Sequence, residues 1–412
     1  MDFYLRDFGA AGDGVTLDTQ AVQAAIDAAA VQGGRVVAEG GIFKIGSIRL
    51  RSFVQLHIAA DAVLLGSENP EDYADFRELT HMDWEMAPRR SNSCLILLHE
   101  CEGASITGLG TIDCNGDRFV LPDPGGYACN YKRIPGFTPP RVVLCVGCRD
   151  LTIRDVTMTN QPAGWSYWIH DCDNVTVKDL TIRCSVEYPN NDGIHINCSR
   201  DVTVSGCNIS CGDDCLVARA NSATLKENKP CQRIHFSDCR LTSYSAGLRI
   251  GWVNDGVIRD VVAENLTMTD CSVGISVYVP GQVRSETVTD VGREATQIEN
   301  FLFRNISMET AGYPVFMRLV NNPAVTVAGV QNLEFRDITV RSPQLPYLKG
   351  RPDAPIRDIR FVNCNFTQTD SDWCKKRPCT GWIMTPGHSY DPLPMTLENV
   401  ENIQFINTVI GK

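Results

Sequence analysis

The sequence predicts an all-β protein, a right-handed parallel β-helix (solenoid) with an N-terminal capping helix. Three observations predict it. The first is a recurring pattern of apolar, x, apolar, x, x, apolar, x, apolar residues. It appears as LTIRDVTM from Leu151, VTVKDLTI from Val175, VTVSGCNI from Val202, IHFSDCRL from Ile234 and VVAENLTM from Val261. It continues as FLFRNISM from Phe301, LEFRDITV from Leu333, IRFVNCNF from Ile359 and IQFINTVI from Ile403. These nine copies are spaced by 24 to 44 residues, the mark of a solenoid. The second is the internal form of each copy: two alternating halves around a two-residue corner read as two short strands joined by a bend. The third is a further short strand in several coils: DGIHIN from Asp192, DCLVAR from Asp214, AGLRIG from Ala246 and VGISVY from Val273. β-Branched and Asn-rich content argues for strands over helical repeats, and successive coils should stack at about 4.8 Å.

Taken in order, TQAVQAAIDAAAVQGG is the one convincing helix, with Asp18 or Thr19 as its cap and a Gly-Gly stop. A solenoid needs its open end covered, so this helix is read as the cap. Interruptions at 66–93, 115–140, 279–296 and 343–355 read as loops that wall a groove. All 412 residues are assigned to one β-helix domain, with the cap over about 1–50 and coils over about 50–412.

A formal net charge of −11 argues against a nucleic-acid or anionic-membrane partner. It does not exclude an acidic sugar, which a local basic cleft can bind. The N-terminal MDFYLRDFGAAGDG has no signal-peptide core, and no apolar run is long enough to span a membrane. Most of the eighteen cysteines sit singly in strand-like runs, where a thiol is a small hydrophobe. Reduced cysteines and a cytoplasmic protein are expected. Cys145 with Cys148, and Cys374 with Cys379, lack further ligands at metal spacing, so no metal or cofactor is expected. Asn-x-Ser/Thr triplets at Asn174, Asn197, Asn208, Asn265, Asn305 and Asn365 fall on strands and corners, where a glycan would disrupt stacking. Oligomeric state is not legible.

The chemistry concentrates in YPNNDGIHINCSRDVTVSGCNISCGDDCLVARA, from Tyr188 to Ala220. Aligning the third strands puts Asp192, Asp214, Ala246 and Val273 in one vertical row. The outward rows are then His195, Val217, Arg249, Ser276 and Asn197, Arg219, Gly251, Tyr278. Asp192 and Asp214 become neighbours on successive coils, with Asp213 beside them. Three like charges so close perturb one another, and at least one proton is held more tightly. That supplies a protonated acid and an ionised base together, as glycoside hydrolysis requires. A calcium site or a surface turn is the plainer reading of Gly-Asp-Asp alone.

The segments NNDGIHI and GDDC resemble the Asn-Thr-Asp and Gly-Asp-Asp motifs of the polygalacturonases, glycoside hydrolase family 28, within the pectate-lyase-like β-helices. DFGAAGDGVTLDTQAVQAAIDAAA, VAEGGIFKIGSIRL and GLGTID are also similar, so the resemblance covers nearly the whole chain. It implies an inverting, metal-independent hydrolase with Asp213 as general acid, and with Asp192 and Asp214 positioning and deprotonating water. Asn190, first residue of the first motif, becomes a substrate-binding candidate. Two motifs depart. The family's Gly-His-Gly falls on Ser245-Ala246-Gly247, and its carboxylate-gripping Arg-Ile-Lys on Ser276-Val277-Tyr278.

Either the clamp has moved to Arg249 and Arg219, with Arg318 one coil further, or the substrate is a neutral or deoxy sugar such as a rhamnosyl, galactosyl or arabinosyl unit. The two arginines merely neutralising the aspartates is a third reading. His195 is expected near the site. Trp165, Tyr167 and Trp168 are read either as sugar-stacking platforms or as packing at a loop base, and Tyr278 and Trp168 join the substrate-binding candidates. The expected function is an inverting glycosidase, exo-acting on short pectin-derived oligosaccharides. A non-catalytic carbohydrate-binding β-helix and a polysaccharide lyase are the competitors.

Overall fold

The computed structural model describes residues 1–80, 93–124, 130–139, 141–162, 164–280, 294–322, 326–370 and 394–411. Cys374 and Cys379 lie outside them, as do much of the 66–93 interruption and most of 279–296.

Among the described residues thirty-three strands form one parallel sheet, wound as a right-handed β-helix. The nine copies sit in register at their first residue. Leu151 pairs with Val175, Val175 with Val202, Val202 with Ile234 and Ile234 with Val261. The series runs on through Phe301, Leu333, Ile359 and Ile403. Two residues on, Phe303, Phe335, Phe361 and Phe405 stack ring on ring, with centroids 4.7, 4.8 and 5.3 Å apart. Parallel strands are about 4.8 Å apart, so a Phe repeated once per coil stacks without any shift of backbone.

The corners explain the Asn and Asp content. In the nine copies the corner residue is Asp155, Asp179, Gly206, Asp238, Asn265, Asn305, Asp337, Asn363 or Asn407, each with positive φ between 47° and 71°. Asn, Asp and Gly enter this left-handed region at least strain. Corner amides also bond from coil to coil: Asn265 donates to Asp238 and Asn305 to Asn265, at 3.0 and 2.7 Å. The triplets at Asn174, Asn265 and Asn305 thus sit on corners, and Asn197 is buried.

The capping helix is Thr19–Ala30, with Val22, Ala25, Ile26 and Ala29 buried against the first coils. Its N-cap differs from expectation. Asp18 occupies the position, but its carboxylate accepts from the backbone N–H groups of Ala11 and Gly12 at 2.7 and 3.0 Å. Thr19 accepts from Gly46 instead. Both side chains tie the helix to neighbouring loops rather than to its own first turn.

Two interruptions contain strands. Residues 343–355 hold Tyr347–Lys349, the third strand of its coil, paired with Phe316–Arg318. Residues 115–140 hold an antiparallel hairpin, Val120–Pro122 with Tyr131–Arg133. Tyr131 packs on Tyr188 with rings 4.9 Å apart, and Asn130 donates to Glu187 at 2.8 Å. The hairpin therefore leans on the loop that carries the first aspartate motif.

Candidate active site

The third strands, Ile194–Asn197, Leu216–Arg219, Ala246–Ile250 and part of Thr267–Val279, stack as aligned from sequence. Ile194 pairs with Leu216, Leu216 with Leu248 and Leu248 with Ile275. The motif residues precede these strands on the same edge. Gly193 N–H donates to the Asp214 carbonyl, and Cys215 N–H to that of Ala246, both at 2.9 Å. Neither loop leaves room for a larger residue at its glycine. A Cβ on Gly193 would stand 2.2 Å from the Cys215 carbonyl oxygen, and one on Gly212 2.3 Å from that of Tyr188. Asn191 locks the two loops together, accepting from Gly212 N–H at 2.5 Å and donating to the Ser185 carbonyl at 2.7 Å.

Asp192, Asp213 and Asp214 are all buried, with oxygens within 4.8 Å of one another. That is close enough to share a proton or a cation, and Arg249 already brings one positive charge. The three differ in their partners. Asp214 accepts from Ser245 Oγ at 2.7 Å, Ala246 N–H at 3.1 Å and Arg249 Nη1 at 2.8 Å, the pattern of an acceptor-only carboxylate. Asp192 Oδ2 lies 2.8 Å from His195 Nε2. Asp213 Oδ2 accepts from Asn190 Nδ2 at 3.1 Å. The remaining oxygens, Oδ1 of Asp192 and Oδ1 of Asp213, are buried and have no hydrogen-bond partner among the described residues.

Burial holds the Asp213 carboxyl well above the usual carboxylate range, and the charges of Asp192 and Asp214 push it further. Asp192 is raised in the same way, by burial first and Asp214 second. Burial keeps the His195 imidazole well below its ordinary value, hence neutral. A cluster of this kind holds a proton at neutral pH, and the free oxygens of Asp192 and Asp213 are the places to exchange it.

A cavity of about 230 Å³ opens over the three aspartates. Asn190, His195, Arg219 and Arg249 line it too. Both arginines have carboxylate partners: Arg249 has Asp214, and Arg219 has the wholly buried Asp255 at 2.6 Å. Trp168 and Tyr278 do not line it. Trp168 is 1% exposed and packs with Leu97, Leu144 and Val146, so its ring has no face to offer a sugar. Tyr278 packs against Trp252, with rings 5.2 Å apart. Tyr167 points into the core. Trp165 does reach the cavity, but His195 stacks on it at 3.9 Å and the buried Arg141 guanidinium lies 3.7 Å from its ring. It buttresses His195. Arg318 pairs in register with Tyr278, one coil further as anticipated.

The sequence reading missed Ser245, Trp252, Asp255 and Arg141. Ser245 had a signal: an O–H donor stands where the family motif breaks. Trp252 and Asp255 lie just past the strand that carries Arg249, and Arg141 comes from a distant coil; none of the three carried a signal.

Residues 79–382 match the family described as Glycosyl hydrolases family 28. The chain is 25% identical over 378 residues to a probable polygalacturonase of Vitis vinifera, covering 87% of this chain and 73% of that one. It is 25% identical over 342 residues to an exo-poly-alpha-D-galacturonosidase of Dickeya chrysanthemi, covering 74% of this chain and 54% of that longer one. Its fold is similar to a hyperthermoactive exopolygalacturonase from Thermotoga maritima, with a TM-score of 0.71 at 19% identity over 90% of this chain and 87% of the other. With three-quarters of its length matched and a pair of aspartate motifs on adjacent coils, the chain belongs to glycosyl hydrolase family 28 and is a glycoside hydrolase.

Proposed function

We propose that the protein is an inverting exo-glycosidase that removes terminal sugars from short pectin-derived, galacturonate-containing oligosaccharides. The observation that carries this reading is Asp213: a buried, proton-retaining carboxyl that lines the cavity together with Asp192, each keeping one oxygen without a hydrogen-bond partner among the described residues. Asp213 gives its proton to the glycosidic oxygen as the C1–O bond breaks. Water, positioned by Asp192 and by Asp214, the latter held by Ser245 and Arg249, adds to C1 from the opposite face and yields its proton to Asp192. Neutral His195 fixes Asp192 Oδ2 and leaves Oδ1 to the water.

A cavity of about 230 Å³ suits one sugar ring better than a run of rings, which supports exo action. The relatives named as exo-galacturonosidases and exopolygalacturonases support both the sugar and the mode. The aspartate oxygens are closer than the roughly 6.5–9.5 Å common to inverting enzymes. Inversion is therefore proposed on the likeness of the two motifs to the family, and the product anomer decides it. A cytoplasmic setting is part of the proposal, supported by the fifteen cysteines of the described residues, all buried and outside any disulfide.

A neutral or deoxy terminal sugar is the second reading, favoured by the prior commitment of Arg219 and Arg249 to Asp255 and Asp214. Proton NMR in the first minutes after adding protein to di- and trigalacturonate tests both. Release of galacturonic acid in inverted form, absent with Asp213→Asn, supports the first reading. A retained anomer ends the inverting mechanism. No release from galacturonides, with release from rhamnose-, galactose- or arabinose-terminated oligosaccharides, supports the second.

A further inference from the structure

His195 meets Asp192 through one ring nitrogen only. Nε2 lies 2.8 Å from Asp192 Oδ2, while Nδ1 is buried and has no hydrogen-bond partner among the described residues. An N–H left on Nδ1 would lose its hydration and gain nothing, whereas an N–H on Nε2 finds a carboxylate. The ring proton therefore belongs on Nε2. Asp192 Oδ2 then accepts that N–H, and Oδ1 is the oxygen left to take a proton from water.

One hydrogen bond does not hold a ring that can turn about its Cβ–Cγ bond. Trp165 supplies the second contact. Its indole stacks on the imidazole at 3.9 Å with the planes 16° apart, and both residues line the cavity with Asp192. The indole is held in turn: Trp168 meets it edge-on at 5.2 Å, and the buried Arg141 guanidinium lies 3.7 Å from its ring. Arg141 pairs in register with Trp165 from the preceding coil, and His195 belongs to the following one, so the indole sits between them. With His195 and Arg141 packed on it, the indole has no face to offer a sugar. The surroundings also keep the imidazole neutral. Burial opposes its charged form first; Asp214 and the bonded Asp192 favour that form, while Arg219, Arg141 and Arg249 oppose it.

We propose that Trp165 is a positioning residue for the base: it clamps His195 as a neutral Nε2–H donor, so that Asp192 meets the reacting water with Oδ1. The inference deepens the hydrolase reading above and rests on it for the role of Asp192.

Two measurements test it. The first needs no substrate: nitrogen NMR of the histidine rings, with His195→Gln to assign the signal. Between about pH 5 and 8 the wild-type proton should stay on Nε2, and in Trp165→Leu the ring should show a mixture of tautomers. A wild-type proton on Nδ1, or a fixed Nε2–H that survives in Trp165→Leu, overturns the proposal. The second is steady-state kinetics on the oligosaccharide that wild type cuts. In Trp165→Leu, kcat should fall by about ten- to a hundredfold, as for a misplaced reacting group, with KM nearly unchanged. His195→Leu, which removes the donor and leaves Trp165 in place, should lose as much. Trp165→Phe and His195→Gln, which keep a ring and an N–H, should recover most of the rate. A raised KM with kcat kept would make Trp165 a sugar platform and overturn the proposal, as does an unchanged kcat in His195→Leu. If wild type cuts no oligosaccharide, the hydrolase reading fails on its own, and the ring-nitrogen signals alone judge the clamp.

Discussion

Asp213 meets two demands that pull apart: to act as an acid it must hold a proton near neutral pH, and to do so it must be buried where its charged form is unfavourable. Its folded pKa is raised above the unfolded value of about 3.9. The protonated carboxyl therefore contributes its full share of stability below that unfolded value, and the contribution is lost as pH rises through the folded one. Asp213→Asn should melt higher than wild type at pH 7, by a gain on the order of 1–2 kcal/mol, and the gain should vanish below about pH 4. The same variant should lose about 10²–10⁴ in kcat. Thermal melts across pH with single-turnover rates check both, and an unchanged Tm at pH 7 would mean Asp213 ionises as freely as an exposed carboxyl. Arg219 makes the opposite case. Arg219→Met strands Asp255 in the interior and should cost about 3–5 kcal/mol, much of it recovered in Arg219→Met/Asp255→Leu. Denaturant titration of the two variants measures it.

At the level of the element, the corner is the unit that lets a flat strand become a coil. Each corner residue sits at positive φ, and Asn305 at 52° bonds back to Asn265. Asn305→Ala should destabilise by about 1–2 kcal/mol through left-handed strain alone, with the lost amide bond adding to it. Asn305→Gly, free of that strain, should cost less. Equal losses in urea titrations would show that the amide bond dominates. The motif loops obey a stricter rule, since Gly193 faces backbone that cannot retreat. Gly193→Ala should destabilise by about 1–3 kcal/mol, as overpacking does, and reduce activity by moving Asp192.

At the scale of the molecule, cysteine is a packing residue. The sequence has eighteen, and fifteen are buried and outside any disulfide in the described residues; Cys129, Cys374 and Cys379 lie outside them. A disulfide reagent should label at most about three thiols quickly in the native protein and all eighteen in denaturant, with Tm unchanged by reductant. Fewer than eighteen after unfolding would reveal bridges among the rest.

The fold was legible because a solenoid repeats itself. Each coil pairs with the next, so period-2 alternation and a recurring corner fix the register, and the nine copies align at their first residues. The row of Asp192 and Asp214, with Asp213 beside it, followed from the same arithmetic, and the family likeness added the expected role of Asp213 as general acid. The sequence by itself thus determined the strands, the stacking, the corners and the three acids. What surrounds those acids was decided in three dimensions. Asp255 meets Arg219 across 36 residues, Arg133 reaches Asn190 across 57 from an inserted hairpin, and Trp165 stacks on His195 while Trp168, in the same outward row as His195, packs under Phe76 and Leu79. Insertions obey no period, and alternation says only which face a side chain leaves from. Which charges are already paired, and which remain for a substrate, depends on how those insertions fold back over the coil.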